Sequence, residues 1–260
     1  MNLFKRELDP AEIVAKSRED RYPANYIIQS LFSDFFEMHG DRLNGDDPSI
    51  IAGVAMLNEQ PVTVIAIDKG VTLDEKVAKR NGSPTPNGYR KAQRMMEQAE
   101  KFRRPIITLI NTPGAYPGKE AEENGQGEAI AQSILKSMQL TVPIIAIIYG
   151  EGGSGGALAL ATADEVWMLE NATYSVLSPE GFASILWKDG KRSDEAARIM
   201  GLTANELFDQ GVIDYVIPEG WTKRRLMRLI QLRLEQSIER LMKYDPNELV
   251  ARRQQRFRKF

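Results

Sequence analysis

Val142-Pro-Ile-Ile-Ala-Ile-Ile-Tyr149, followed at once by Gly150-Glu-Gly-Gly-Ser-Gly-Gly156 and Ala157-Leu-Ala-Leu-Ala-Thr-Ala163, decides how this chain is read. The first stretch predicts a buried strand, since a short apolar run bounded by turn residues has that signature. The last predicts the start of a helix built from small residues. Five glycines in between leave main-chain N–H groups bare at a helix N-terminus, where partial positive charge gathers. Such a turn can hold an anion or an oxygen that becomes negative during reaction. A structural cause, tight packing of the turn, stays open.

Composition narrows the chemistry. The chain has 260 residues, no cysteine and a single histidine, His39. Disulfides, thiolate zinc sites, cysteine nucleophiles and multi-histidine metal sites are therefore excluded. Catalysis must rest on backbone groups, carboxylates, lysines, hydroxyls or a partner's contribution. No apolar run approaches the roughly 18–20 residues of a membrane span, and Met1–Pro10 lacks a signal-peptide core. A cytoplasmic protein is expected. Residues 220–260 hold 12 basic against 4 acidic residues. Trp221–Met242 predicts a helix, and the tail from Arg252 to Phe260 resembles a nucleic-acid arm only superficially, so no nucleic-acid partner is expected.

Working outward, residues 10–38 suggest two helices, the second carrying Ile27, Ile28, Leu31, Phe32, Phe35 and Phe36. Ile50–Leu57 and Pro61–Ile67 predict paired strands. Lys76–Asn87 reads as a mobile loop, and Gly88–Arg104 as an amphipathic helix. Pro105–Ile110 predicts a strand ending in Thr112-Pro-Gly-Ala-Tyr-Pro-Gly118, with a helix over Glu122–Leu140 after it. Strands at Glu165–Leu169, Thr173–Leu177 and Val212–Ile217 follow, with helices near Ser178–Trp187 and Ser193–Met200. Alternation of this kind predicts crossover units and a largely parallel sheet. Both glycine loops then lie beyond the carboxyl ends of neighbouring strands, where such folds bind ligands.

Three familiar motifs can be matched to the two glycine loops; the first two are weak and the third is rejected. Gly150-x-Gly152-x-x-Gly155 matches a dinucleotide fingerprint but stands deep in the chain, after paired strands and helices. Gly152-Gly-Ser154-Gly-Gly156 matches a nucleophile elbow, which needs a histidine later in the chain, whereas His39 precedes it. Gly114-Ala-Tyr-Pro-Gly-Lys119 is one residue short of a phosphate loop, and Glu120 stands where Ser or Thr should bind magnesium. The remaining reading makes both loops backbone oxyanion sites, with N–H groups around Gly114 and Ala115 and around Gly155 and Gly156. Ser154 is expected to cap the helix.

Asn87-Gly-Tyr-Arg-Lys-Ala92, Thr112–Gly118, Gly150–Ala159 and Tyr174-Ser-Val-Leu-Ser-Pro-Glu-Gly181, continuing to Ser184-Ile-Leu-Trp-Lys188, occur in an order that resembles the carboxyltransferase alpha subunits of bacterial acetyl-CoA carboxylase. The similarity covers about residues 20 to 245. It implies an α/β, crotonase-like (ClpP/crotonase) superhelix of β-β-α units with flanking helices. Residues 49–218 would form the carboxyltransferase core, 1–48 a shortened N-terminal helical segment and 219–260 a basic helical segment. It also implies transfer of a carboxyl group from carboxybiotin, on a biotin carboxyl carrier protein, to acetyl-CoA, giving malonyl-CoA. A zinc-containing beta subunit would complete an alpha2beta2 heterotetramer, with biotin carboxylase in the larger complex and the zinc on that other chain. Gly155 and Gly156 would supply the oxyanion hole for the biotin enolate, with Gly114 and Ala115 as the facing wall. Gly152, Gly153 and Tyr116 would lie on the carboxybiotin side, with simple packing of the loop an equal reading for Tyr116; Arg90 and Lys91 would meet a coenzyme A phosphate or else form a solvated helix start. No metal is expected on this chain. A stand-alone crotonase-fold hydrolase or isomerase of acyl-CoA, and a non-catalytic binding subunit, are the competing readings.

Overall fold

The computed structural model describes residues 8–19, 21–220 and 222–260. Two helices, α1 (Pro10–Glu19) and α2 (Ala24–Leu31), lead into β1 (Ser33–Glu37). The hairpin β2 (Ile50–Leu57) and β3 (Gln60–Ile67) follows, then the short α3 (Leu73–Ala78) and the long α4 (Pro86–Lys101). After β4 (Ile106–Thr112) come α5 (Lys119–Glu123), α6 (Gln126–Ser137), β5 (Ile144–Gly153) and α7 (Ser154–Ala161). The chain continues through β6 (Glu165–Leu169), β7 (Thr173–Ser175), α8 (Pro179–Trp187), α9 (Ser193–Ile199), α10 (Ala204–Asp209) and β8 (Tyr215–Ile217). It closes with α11 (Lys223–Leu241) and α12 (Pro246–Phe257).

All eight strands join one sheet in the order β1-β2-β3-β4-β5-β6-β8, with β7 pairing onto β5. The β1–β2–β3 meander is antiparallel, and β3 to β8 run parallel. The predicted hairpin and parallel crossovers are both present. Every residue of β4 is buried, as expected for a parallel strand covered on both faces. Ile106, Ile107, Leu109, Ile110 and Ile144–Ile148 are buried in one cluster with Ala92, Met95, Met96 and Ala99 of α4 and Ala157, Leu160 and Ala161 of α7, and that core fixes this register.

Several elements differ from the sequence reading. The second helix stops at Leu31, because Phe32 turns extended (φ −127°) and Phe35 and Phe36 belong to β1. Their helix-like spacing is overridden by pairing with β2. Lys76–Asn87 is a loop only in its middle: Lys76–Ala78 lie in α3, whose capping box is formed by Thr72 and Glu75, residues 79–85 are turn and coil, and α4 begins at Pro86. The helix over 122–140 is broken in two at Gly125, which takes a left-handed conformation (φ +81°). The basic tail is the docked helix α12, and α10 is new. Trp221, the expected start of α11, lies outside the described residues.

Candidate active site

The glycine run is mostly not a loop. β5 continues through Gly153 because β7 offers a further parallel ladder, pairing Glu151 with Thr173, Gly152 with Tyr174 and Gly153 with Ser175. Glycine is needed there for close approach. A Cβ on Gly150 would overlap the Asn111 side chain, and one on Gly153 would overlap the carbonyl of Pro113. Asn111 Oδ1 in turn accepts from the Glu151 amide at 3.0 Å. Thus the ends of β4 and β5 are clamped together, with the Asn111 side chain filling the space that glycine leaves at 150 and the Pro113 carbonyl the space at 153.

Helix α7 then starts abruptly. Ser154 has φ +53°, a left-handed conformation for a non-glycine residue, which the surrounding structure must hold in place. The N-cap position is Gly153, and no side chain caps it. Ser154 therefore does not serve as the expected cap. The first amides of a helix lack acceptors one turn back, so Gly155 and Gly156 present N–H groups at this uncapped end. Gly156 is buried and Gly155 half-buried.

The facing loop carries Gly114 and Ala115. Gly114 has φ +140°, and its amide donates to Thr112 Oγ1 at 3.0 Å. It is a wall of the site, already internally bonded. A Cβ on Gly156 would overlap the Ala115 amide nitrogen and the Gly114 carbonyl carbon. The structure thus brings the two loops together at Gly156. Gly155 has open space: the nearest group to a Cβ there is Ile130 Cγ2 at 3.5 Å.

Two clefts flank this junction. One, of about 330 Å³, is lined by Ser154, Gly155, Leu158, Tyr174, Ser175, Val176, Leu207 and Val212 and is largely apolar. The other, of about 340 Å³, includes Gly152, Gly153 and Pro113 and is crossed by charge. There Lys69 pairs with Glu151, and Arg18 of α1 bridges Glu151 (3.0 Å) and Glu180 (2.7 Å). Burial lowers the Lys69 pKa, with Glu151 opposing. The bond from Arg18 holds the Glu180 carboxyl down at about 2, against the opposing effect of burial.

The remaining candidates separate. Tyr116 is half-buried, its ring packed over Gly118 and under the Arg80 guanidinium, 5.5 Å from the centroid. Its amide donates to Pro84 O, and Gln126 Nε2 donates to both Pro84 O and Tyr116 O. Lys91 does not face a coenzyme phosphate. It is 1% exposed, and its ammonium is engaged by Asp46 at 2.5 Å and by the Asp47 carbonyl at 3.0 Å. Arg90 is half-buried and donates to Asn124 O at 2.6 Å, next to Gly125. His39 is exposed, 3.1 Å from Asp46, remote from both loops in these contacts.

Sequence reasoning missed the Arg18–Glu151–Lys69 cluster and Gln126. Glu151, the one charged residue inside the glycine run, was the available signal for the cluster; Gln126 carried none. Among the described residues, no group of three or more His, Asp or Glu is placed to hold a metal, and no helix is long and apolar enough to cross a membrane.

Comparison with solved structures places this architecture. It resembles transcarboxylase 12S, with a TM-score of 0.69 at 21% identity, over 86% of this chain and 44% of that one. It also resembles the beta subunit of Pseudomonas aeruginosa geranyl-CoA carboxylase, with a TM-score of 0.67 at 18% identity, over 90% of this chain and 46% of the other. The fold is that of the crotonase-type carboxyltransferases. At the sequence level, the model for acetyl co-enzyme A carboxylase carboxyltransferase-like proteins matches residues 2–260. That span is longer than the motifs alone suggested. The acetyl-coenzyme A carboxylase carboxyl transferase subunit alpha of Streptococcus equi subsp. zooepidemicus (strain H70) is 56% identical over 254 residues, covering 97% of this chain and 99% of that protein. Its Streptococcus pyogenes (serotype M5, strain Manfredo) counterpart is 57% identical over 231 residues, covering 88% and 90%. The chain belongs to the acetyl-CoA carboxylase carboxyltransferase alpha-subunit family.

Proposed function

We propose that this chain is the alpha half of a carboxyltransferase that moves a carboxyl group from carboxybiotin to acetyl-CoA, forming malonyl-CoA for fatty acid synthesis in the cytoplasm. One observation carries the site assignment: the start of α7, which no side chain caps, opens through Gly155 onto an apolar cleft, with Gly156 buried directly behind it against the Gly114–Ala115 wall. Neutral donors next to Leu158, Tyr174, Val176, Leu207 and Val212 suit an uncharged ring bearing a polar oxygen. Carboxybiotin, when bound, supplies the transferable carboxyl group and a ureido oxygen on which negative charge grows as that group leaves.

The chain's own part is electrostatic. Preorganised N–H groups stabilise charge that develops in the transition state without needing a titratable side chain, and one such donor is worth roughly 3–4 kcal/mol. The Gly114–Ala115 wall fixes the position of Gly156, while the apolar lining keeps water from competing for the amides. Gly152 and Gly153 hold the strand end that aims the turn, and the Tyr116 ring covers the facing loop. Arg90 remains the one basic candidate for a coenzyme phosphate.

In the proposed assembly, residues 49–218 are the core, and 1–48 and 219–260 are flanking segments. A beta subunit carrying the zinc and binding acetyl-CoA completes an alpha2beta2 heterotetramer. A biotin carboxyl carrier protein delivers the substrate, and biotin carboxylase reloads it. The test is reconstitution. This chain, a zinc-containing beta subunit and carboxylated carrier are combined with acetyl-CoA, and each is omitted in turn. Malonyl-CoA forming only in the complete mixture supports the reading. Acyl-CoA hydrolysis or isomerisation by the isolated chain refutes it.

A further inference from the structure

Tyr89 lies in the Asn87–Ala92 motif, whose neighbours Arg90 and Lys91 leave most of that motif unexplained. Its side chain is fully buried, and its hydroxyl has no hydrogen-bond partner among the described residues. The ring packs with Ala129 and Ala159 against Ala115 and Ile130, beneath the seam of the two loops. Its Oη lies 2.8 Å from the point that a Gly156 Cβ would occupy, and the Ala115 amide nitrogen borders the same point. Burial, helped by the nearby Asp47 carboxylate, raises the phenol pKa. The hydroxyl therefore stays protonated and able both to donate and to accept.

A buried hydroxyl left unpaired costs about 1–3 kcal/mol. Phenylalanine would fill the same space without that penalty, so packing does not account for the oxygen. Tyr149 is the instructive contrast: equally buried, its hydroxyl donates to Ile67 O at 2.7 Å. One buried tyrosine is structurally satisfied; the other is unpaired beside the candidate oxyanion turn.

We propose that Tyr89 is a positioning residue for carboxyl transfer, its hydroxyl bonding at the Gly156–Ala115 seam when negative charge is held by the turn. This rests on the reading of Gly155 and Gly156 as the oxyanion site. The bond fixes the separation of the two loops in the loaded state and so the aim of the amides.

The test uses the complete complex with carboxylated carrier and compares wild type, Tyr89→Phe and Tyr149→Phe. For Tyr89→Phe, kcat falls about ten- to a hundredfold, less than for loss of a direct donor. The KM for acetyl-CoA is unchanged, and the melting temperature is equal or higher. Tyr149→Phe lowers the melting temperature because it removes a satisfied bond. A wild-type kcat in Tyr89→Phe overturns the proposal. So does a kcat loss accompanied by a lower melting temperature, which would mark a structural role. A wild-type complex that makes no malonyl-CoA instead overturns the functional reading itself, and this inference with it.

Discussion

The two ends of β5 are built on opposite principles. At its start, one buried side chain answers a ring of carbonyls. Arg253 of α12 is fully buried and donates to the carbonyls of Ser137 (2.7 Å), Leu140 (2.6 Å) and Val142 (2.9 Å). It also forms a two-point pair with Asp164, at 2.9 and 2.7 Å, and Asp164 accepts from the Ile144 amide at 2.7 Å. Burial pushes the Asp164 carboxyl up, and Arg253 opposes that shift. At the other end, no side chain caps the first amides of α7 and the Tyr89 hydroxyl has no partner among the described residues. The saturated end holds the sheet together. The unsaturated end is left able to bind something else.

Cutting the saturated end should give the largest change in stability. Arg253→Met strands a buried carboxylate, and breaking such a pair from one side costs about 3–5 kcal/mol. Denaturant unfolding should show that loss, and Arg253→Met combined with Asp164→Leu should recover part of it. Equal stability of the single variant and wild type would mean that the two ends do not differ as described.

A smaller effect separates Gly155 from Gly156. Gly156→Ala forces a methyl into two backbone groups that cannot yield, and overpacking of this kind costs about 1–3 kcal/mol. Turnover should fall with it. Gly155→Ala meets only Ile130 at 3.5 Å and should stay within about 0.5 kcal/mol of wild type. Parallel melts and malonyl-CoA assays would show the split; equal behaviour of the two would contradict the packing at the seam.

The weakest effect concerns the strap of α1 across the charged cleft. The folded pKa of Glu180, about 2, lies below its ordinary value of 4.5, so the Arg18 bond stabilises fully above about pH 4.5. That contribution fades as pH falls toward 2. Glu180 is nearly half exposed, so solvent screening keeps it under about 1 kcal/mol. The gap in melting temperature between wild type and Glu180→Gln should close over that interval; a constant gap would count against the bond.

The sequence made the central strands legible because apolar runs such as Ile144–Ile148 and Ile106–Ile110 can only be buried. It misled where tertiary contacts override local pattern. Phe32, Phe35 and Phe36 have helical spacing, yet an edge pairing with β2 claims the last two. Helix α12 did carry a signal, since Asp245 caps it and Pro246 follows, but charge density obscured it. In the candidate site, the glycine run itself pointed to a helix start, and Gly153–Gly156 form one that no side chain caps. That Gly150 and Gly153 instead serve close strand packing depends on Asn111 and Pro113, about 40 residues away in sequence. Lys91 was misjudged for a related reason: nothing local announces that Asp46 and Asp47 fold back onto it.

The geometry also selects the decisive variant. Proline at 156 would bring a ring into the Ala115 amide and so would test packing, not the N–H. A Cβ fits at 155 in ordinary contact with Ile130, so Gly155→Ala keeps the amide, while Gly155→Pro removes it and its ring also bears on the left-handed Ser154, which is why assembly is measured beside activity. The measurement is malonyl-CoA formation by both variants in the assembled complex, with assembly followed by sedimentation. Loss of at least about a hundredfold in the proline variant, with the alanine variant near wild type, is the predicted result. An assembled proline variant as active as the alanine variant would contradict the claim that main-chain N–H groups carry this reaction.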